Sequence, residues 1–329
     1  MRAIKLVPII EALKRGERFA VIAHIAPDGD TIGSCLALAN FLMDHGKTAE
    51  LYCHDVPPEN LAFLQGIQGF IRPGNNGEGL AHSARYDAVV CLDCSDRERL
   101  GDAAHLLERT SCTINVDHHG TNTMYGDINW VEPKASSTAE LVFYLIREMD
   151  GDYFSMSVFE AIYTGIATDT GGFGFSNTTP AAHRIAAQAI EYGLDVDRLT
   201  RALFRNATLA RVRLLAKALG SLEMHCDDRV AFLTVSQDML KEVGLDENSA
   251  DGIVNYGIDI VGVECAALFK ETGQGKTKVS LRTKSKVDAS ALAAKFGGGG
   301  HARAAGCTIN AGIEKAKVAI LEELKPIML

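Results

Sequence analysis

The chain has no uninterrupted apolar run at its start. Between Met1 and Ala23 the apolar residues are broken by Lys14, Arg15, Glu17 and Arg18, a pattern that fits neither a signal peptide nor a membrane helix. A cytoplasmic address with no membrane partner is therefore expected. Basic charge is also in short supply: 33 Lys and Arg face 42 Asp and Glu, a formal net charge of −9. A non-specific grip on long nucleic acid needs a continuous basic surface to displace counterions, so a small substrate fits better. There is no cysteine framework either. Eight cysteines are scattered along the chain, and only Cys91 and Cys94 form a Cys-x-x-Cys pair. With no second pair to complete a zinc site, reduced core thiols are the better reading. Repeats and low-complexity tracts are missing as well, apart from Gly297 to Gly300.

What is present is an ordinary globular composition, 47% apolar and 23% charged over 329 residues, enough for a large core and about two domains. Short apolar runs at Phe19–Ala23, Thr48–Cys53, Tyr86–Leu92 and Cys112–Val116 alternate with helical patterns at Gly29–His45, Thr138–Met149, Ser155–Thr168 and Ala181–Tyr192. Continuous apolar strands separated by amphipathic helices predict an α/β unit with a parallel sheet buried on both faces. Asp197–Leu219 is long, helical in period and rich in arginine, and reads as a connector. Beyond it, strands at Val230–Val235, Val261–Phe269 and Lys278–Arg282 and a short helix near Ser290–Phe296 predict a smaller α/β unit. The expected domains are 1–195, a helical linker 196–222, and 223–329.

Four acidic and histidine clusters carry the chemistry. His24, Asp28 and Asp30 follow the first strand; Asp93 follows the strand ending at Leu92; Asp117, His118 and His119 follow the strand ending at Val116; Asp169 follows an apolar helix. Taken singly, each would equally suit a helix cap or a packed histidine. In a doubly wound sheet, however, ligands bind beyond the carboxyl ends of the strands, so clusters at several strand ends converge in space. Mixed carboxylate and imidazole donors suit Mn²⁺, Zn²⁺ or Fe²⁺ better than Mg²⁺ or Ca²⁺, and Mn²⁺ is the expected ion. Two such cations activate a shared water and clamp a phosphoryl oxygen, which points to phosphoester hydrolysis.

The string Asp117-His118-His119, with the upstream His24-x-x-x-Asp28-x-Asp30, Asp93 and the downstream Asp169, resembles the DHH phosphoesterase superfamily. Gly297-Gly298-Gly299-Gly300-His301 with Ala304-Ala305-Gly306 resembles its C-terminal DHH-associated domain. Size and motif spacing are similar to the bifunctional nanoRNases that are also phosphatases of pAp (3′-phosphoadenosine 5′-phosphate). The resemblance covers nearly the whole chain. It implies that 1–195 is catalytic and 223–329 binds substrate. It further implies His24, Asp28 and Asp93 at one Mn²⁺ and Asp30, Asp93, His118 and Asp169 at the other, Asp93 bridging. Asp117 would orient a ligand imidazole. His119 would face the substrate, either hydrogen-bonding a phosphoryl oxygen or protonating the departing one.

From Lys270 to Arg303 eight basic residues face two acids, a local basic patch on an acidic protein. Four glycines uncover backbone N–H groups to which a phosphate or base can come close, with His301 as a donor. The pairing with Arg282 is similar to the family's substrate grip, so Gly298, Gly299, Gly300, His301 and Arg282, joined by Asn255, are the expected substrate contacts. Chemistry in one domain and grip in the other favour short substrates. Very short RNAs, linear dinucleotides such as pGpG and pApA, and pAp are the expected substrates, and a homodimer is left open. The competing readings are a cyclic-dinucleotide phosphodiesterase, a single-strand exonuclease or a pyrophosphatase of the same chemistry, and a nucleotide-binding regulator without catalysis.

Overall fold

Residues 2–74, 85–151, 154–272 and 275–328 are described by the computed structural model, which divides into a unit of residues Met1–Asn206 and one of Ala207–Leu329. In the first unit the elements run α1 (Arg2–Arg15), β1 (Arg18–Ile22), α2 (Gly29–Asp44), β2 (Thr48–Tyr52), β3 (Phe70–Ile71), β4 (Ala88–Leu92), β5 (Thr113–Asp117) and β6 (Ile128–Val131). Four helices follow, α3 (Thr138–Asp150), α4 (Met156–Asp169), α5 (Pro180–Glu191) and α6 (Val196–Phe204). All six strands are parallel, in the order β3-β2-β1-β4-β5-β6. The chain builds outward from β1 to one edge, then returns to β4 and builds to the other. The reversal between β1 and β4 opens a crevice at their carboxyl ends, the place where doubly wound sheets bind ligands.

The apolar runs are continuous because both faces of the sheet are covered. Phe19, Val21, Val90, Leu92, Ile114 and Val116 face one core with α2, α3 and α4. Ala20, Ile22, Val89 and Cys91 face a second core with Leu100, Ala103 and Leu106. Helix α2 is buried from Gly29 to Leu42, since it is clamped between the sheet and α4. Glycines permit that clamp: a Cβ on Gly33 would stand 2.5 Å from the carbonyl oxygen of Ala161, and one on Gly165 would stand 2.5 Å from the Ala139 Cβ. The backbones of α2 and α4 therefore meet without intervening side chains.

The second unit contains α7 (Leu209–Gly220), β7 (Glu223–His225), β8 (Val230–Val235), α8 (Gln237–Val243), α9 (Ile253–Ile258), β9 (Cys265–Glu271), β10 (Thr277–Thr283), α10 (Ala289–Ala294), β11 (Gly299–His301), β12 (Ala304–Ile309) and α11 (Ile313–Met328). Its sheet runs β11-β12-β10-β9-β8-β7, antiparallel except for the β8 and β9 pair. Helices α10 and α11 cover one face, and α7, α8 and α9 the other.

The architecture is the expected α/β pair, with three local departures. Asp197–Leu219 is two helices rather than one, because Thr208 stops the chain and caps α7, its hydroxyl accepting from the Arg211 N–H at 3.2 Å. Val261–Phe269 becomes a strand only from Cys265, Val261 lying exposed in a turn ahead of Gly262 at φ 88°. The glycine stretch includes a short strand, β11, and is not wholly a turn. The eight cysteines are free, six of them buried. Among the described residues no helix is long and apolar enough to cross a membrane.

Candidate active site

Three strand ends and two helices build the site. Beyond β1 the chain passes His24 and reaches Asp28, the N-cap of α2, whose Oδ1 accepts from the N–H groups of Asp30 and Thr31 at 3.0 and 3.1 Å. Such a residue satisfies first-turn donors and here leaves Asp30 facing inward on the first turn. Asp93 follows β4 in the left-handed region, φ 60°, a conformation a side chain disfavours and that persists where the surroundings enforce it. Its N–H donates to the Val116 carbonyl at 3.0 Å. Asp117 closes β5 and places His118 and His119. Asp169 is the last residue of α4, so this donor comes from a helix end held against α2.

From α2 the Asp30 carboxylate reaches the start of α3. Its Oδ2 accepts from Thr138 N–H at 2.7 Å and its Oδ1 from Ala139 N–H at 2.9 Å, a carboxylate on the positive end of a helix. Thr138 Oγ1 donates to Asp93 Oδ1 at 2.9 Å. His24 Nε2 stands 3.4 Å from Asp93 Oδ2 and 4.0 Å from Asp28 Oδ1. His118 Nε2 stands 3.8 Å from Asp30 Oδ2, 3.7 Å from Asp93 Oδ1 and 3.7 Å from Asp169 Oδ2. These separations exceed hydrogen bonds, and they match donors arranged around a cation held at about 2.1 Å, which stand roughly 3 to 4 Å apart.

Among the described residues three trios of donor atoms lie within 4.8 Å of one another: His24, Asp28 and Asp93; Asp30, His118 and Asp169; and Asp93, His118 and His119. The third is the weakest, because the near atom of His119 is Nδ1 and Asp117 Oδ1 already holds that nitrogen at 2.8 Å. His24 Nδ1 lies 2.7 Å from the Ile25 carbonyl and 3.1 Å from the Arg99 guanidinium. These contacts call for opposite tautomers, and the shorter one, with Nδ1–H donating, leaves Nε2 free toward the carboxylates.

Charge tells the same story. Burial first, then the charges of Asp93, Asp169 and Asp28, push the Asp30 carboxyl far above its usual range. Burial, reinforced by Asp93 and Asp28 against the pull of His118, takes Asp169 up to about 6. Crowded carboxylates of this kind need protons or cations. His119 is the opposite case: the hydrogen bond to Asp117 raises its pKa despite burial. Burial pushes Asp117 up, but donors from His119 and Asn122 outweigh it and hold the carboxyl below its usual range.

Residues 18–166 match the DHH family, N-terminal domain, and residues 227–328 match the DHHA1 domain. The chain is 34% identical over 322 residues to the bifunctional oligoribonuclease and PAP phosphatase NrnA of Thermus thermophilus, covering 96% of this chain and 92% of that relative. The chain belongs to the DHH phosphoesterase family. The NrnA of Bacillus subtilis is 27% identical over 288 residues, 87% of each chain. An exopolyphosphatase-related protein from Bacteroides fragilis superposes with a TM-score of 0.92 at 27% identity, covering 99% of this chain and 98% of that one. As a DHH phosphoesterase of the NrnA group the chain is a hydrolase, and members of its family work with divalent cations.

The DHH unit also holds residues that motif reading passed over. Asn122 Nδ2 donates to Asp117 Oδ2 at 2.6 Å and to Asn115 Oδ1 at 2.8 Å. Asn177 Nδ2 donates to Asp169 Oδ2 at 3.0 Å, to the Asp169 carbonyl at 3.1 Å and to the Ser136 carbonyl at 2.9 Å. Both are uncharged and sit in loops, so neither periodicity nor metal chemistry marks them.

In the DHHA1 unit, Ala304 pairs with Arg282 on one side and with His301 on the other, which sets these positions in one row across the sheet. The His301 side chain lies outside the described residues. Asn255 is exposed on α9, whose Gly257 rests 3.1 Å, by its Cβ position, from Ala266, the other cross-strand neighbour of Arg282. Of Gly298, Gly299 and Gly300, only Gly299 borders open space. A Cβ on Gly298 would stand 2.2 Å from the Gly306 carbonyl oxygen, and one on Gly300, at φ 143°, 2.6 Å from that of Ala304. These two serve strand packing first. The basic patch is smaller than its residue count, since Lys270 is buried against Asp251 at 2.8 Å and Lys295 pairs with Glu323 at 2.5 Å.

Proposed function

We propose that the chain hydrolyses very short oligoribonucleotides, including linear dinucleotides such as pGpG and pApA, to mononucleotides, and pAp to AMP, with two Mn²⁺ ions. The observation that carries this reading is the convergence of donors from four separate segments around Asp93, in a chain that matches 92% of a relative named for these two activities. His24, Asp28 and Asp93 would hold one ion, and Asp30, Asp93, His118 and Asp169 the other. Bound there, the cations would supply a nucleophilic water at neutral pH and neutralise charge on the phosphoryl oxygens.

The chain's own groups do the rest. Asp93 faces both His24 and His118 at 3.4 and 3.7 Å, so one side chain serves both halves of the cage. Asp117 Oδ1 accepts a hydrogen bond from His119 Nδ1–H, which fixes the ring and favours its protonated form; Nε2 then gives its proton to the departing oxygen. Asn122 restrains Asp117 from behind. Asp28, 61% exposed at its side chain, and Asp169 border the mouth, whereas Asp30 and Asp93 are buried at its base. Arg282, Asn255, Gly298, Gly299, Gly300 and His301 are assigned to the remaining nucleotide and phosphate of the substrate, a binding role for residues 223–329, with 196–222 as the connector and 1–195 as the catalytic part. The intact donor set favours a catalyst over a binding regulator, because a binder needs only the arginines. The protein is assigned to the cytoplasm.

The test is a panel: pAp, a 5′-labelled dinucleotide, a long oligonucleotide, a cyclic dinucleotide and pyrophosphate, each with Mn²⁺, Mg²⁺ or Zn²⁺. The dinucleotide and pAp are expected to turn over fastest with Mn²⁺, and Asp93→Ala to abolish both. Preference for pyrophosphate or the cyclic dinucleotide would replace the substrate assignment, and a fully active Asp93→Ala would remove the catalytic one.

A further inference from the structure

Phe175 is exposed where everything around it is fixed. Its residue is 60% exposed, yet the backbone that carries it is tied down. The N–H groups of Gly174 and Phe175 both donate to the Thr170 carbonyl at 2.9 Å, Phe173 N–H donates to Thr170 Oγ1 at 3.0 Å, and Thr178 N–H donates to the Phe175 carbonyl at 3.1 Å. Gly171, Gly172 and Phe173 run in succession at φ 57°, 67° and 67°. A non-glycine in that region is held there against its preference. The loop is an enforced shape and not slack chain.

Its two aromatic rings have separate destinations. Phe173 turns inward, its ring centroid 5.8 Å from Tyr163 and 5.2 Å from His183. Phe175 turns outward, and the far end of its ring fills the space a side chain on Gly171 would need: a Cβ there would stand 2.4 to 2.6 Å from three ring carbons. Gly171 lies two residues beyond Asp169, so their Cα atoms are no more than about 7 Å apart. On the other flank Asn177, two residues beyond Phe175, donates to Asp169 Oδ2 at 3.0 Å. The loop that carries the ring is thereby tied on both flanks to a proposed metal ligand. A large apolar group kept rigid and wet beside a phosphoester site wins nothing for folding. It does suit a flat ligand surface, since aromatic rings stack on nucleobases whatever the base.

We propose that Phe175 is the stacking platform for the nucleobase adjoining the scissile phosphate, and so selects phosphoesters that carry a base over those that do not. The inference rests on the nucleotide-hydrolase reading above. It also predicts tolerance among bases, because every base offers a π face.

The experiment compares kcat/KM for a 5′-phosphorylated dinucleotide with kcat/KM for its analogues made abasic at each position in turn. The wild type is expected to favour the intact dinucleotide over one abasic analogue by on the order of tenfold to a hundredfold, the range of a single base stack. In Phe175→Ala this ratio should collapse toward one, mainly through KM. Phe175→Tyr and Phe175→Trp should restore it, and Phe175→Leu, apolar but not flat, should not. A ratio that stays at the wild-type value in Phe175→Ala, or that leucine restores as well as tyrosine, overturns the proposal while leaving the hydrolase intact. A wild type that cleaves neither the dinucleotide nor pAp overturns the reading beneath, and this inference with it.

Discussion

Replacing Gly165 with alanine tests whether helix packing sets the metal cage. A Cβ at this position would stand 2.5 Å from the Ala139 Cβ, 2.9 Å from Asp30 Oδ1 and 3.4 Å from the Asp30 Cα. The added methyl is a wedge between the start of α3 and the carboxylate that α3 holds, at the point where Ala139 N–H donates to Asp30 Oδ1 at 2.9 Å. Overpacking a core costs about 1 to 3 kcal/mol. Alanine recovers about 1 kcal/mol of that through helix propensity. The net loss is then about 0 to 2 kcal/mol, a fall in Tm of at most about 8 °C for a unit of this size. Activity should suffer far more, because an atomic shift of about 1 Å at a reacting centre costs on the order of a hundredfold. The assay is kcat/KM on the dinucleotide across a Mn²⁺ titration, beside a calorimetric melt. The expected result is a modest melt shift with a large loss in kcat/KM and a higher Mn²⁺ midpoint. A variant with wild-type kcat/KM and midpoint would show that the contact between α2, α3 and α4 does not position Asp30, and the argument would fail.

Asn177→Ala removes the donor that this side chain directs at the Asp169 carboxylate and carbonyl, and should weaken Mn²⁺ activation by about 10- to 100-fold; saturating metal should restore most of kcat, and a flat response would deny Asn177 this role. In metal-free protein, Asp169 keeps its proton up to about 6, burial also holds the Asp30 carboxyl well above its usual range, and the unfolded carboxyls lose theirs near 4. The folded state therefore binds more protons, and stability falls as pH rises through that window. His119, also raised, acts in the same direction. Chelator-treated protein should melt lower at pH 8 than at pH 5.5, and Mn²⁺ should reverse the trend; a metal-free Tm that rises with pH would contradict the crowded cage. Burial pushes the Cys94 thiol up to about 12 and Cys91 higher still. Neither should be alkylated by iodoacetamide in the native protein at pH 8, as read by mass spectrometry, and rapid labelling would reopen a redox role for the pair.

The chemistry of the site was legible in the residue types. Aspartate and histidine at the ends of apolar runs announced candidate metal donors, and the alternation of runs with amphipathic stretches announced the α/β sheet, because hydrophobic period is a local property of the chain. The parallel strands β1, β4 and β5 required only that both faces be buried. The residues that were not legible carry no periodic or charge signal. Asn177 and Asn122 act through single hydrogen bonds to the carboxylates, and a neutral amide in a loop carries no pattern. Lys270 read as part of a basic surface, yet β9 turns it inward to Asp251, since strand register decides which face a side chain takes.

By itself, then, the sequence determined which donors exist, which strands carry them and the general chemistry they support, all from composition and short-range period. Only the tertiary structure decided how they combine. The strand order placed His24 and Asp93 on either side of the reversal between β1 and β4, and Thr138, 108 residues away, supplied the N–H that holds Asp30. The reason is physical: a cage of four carboxylates is repulsive as chain, and it stands only where packed helices and backbone donors hold each group against that repulsion.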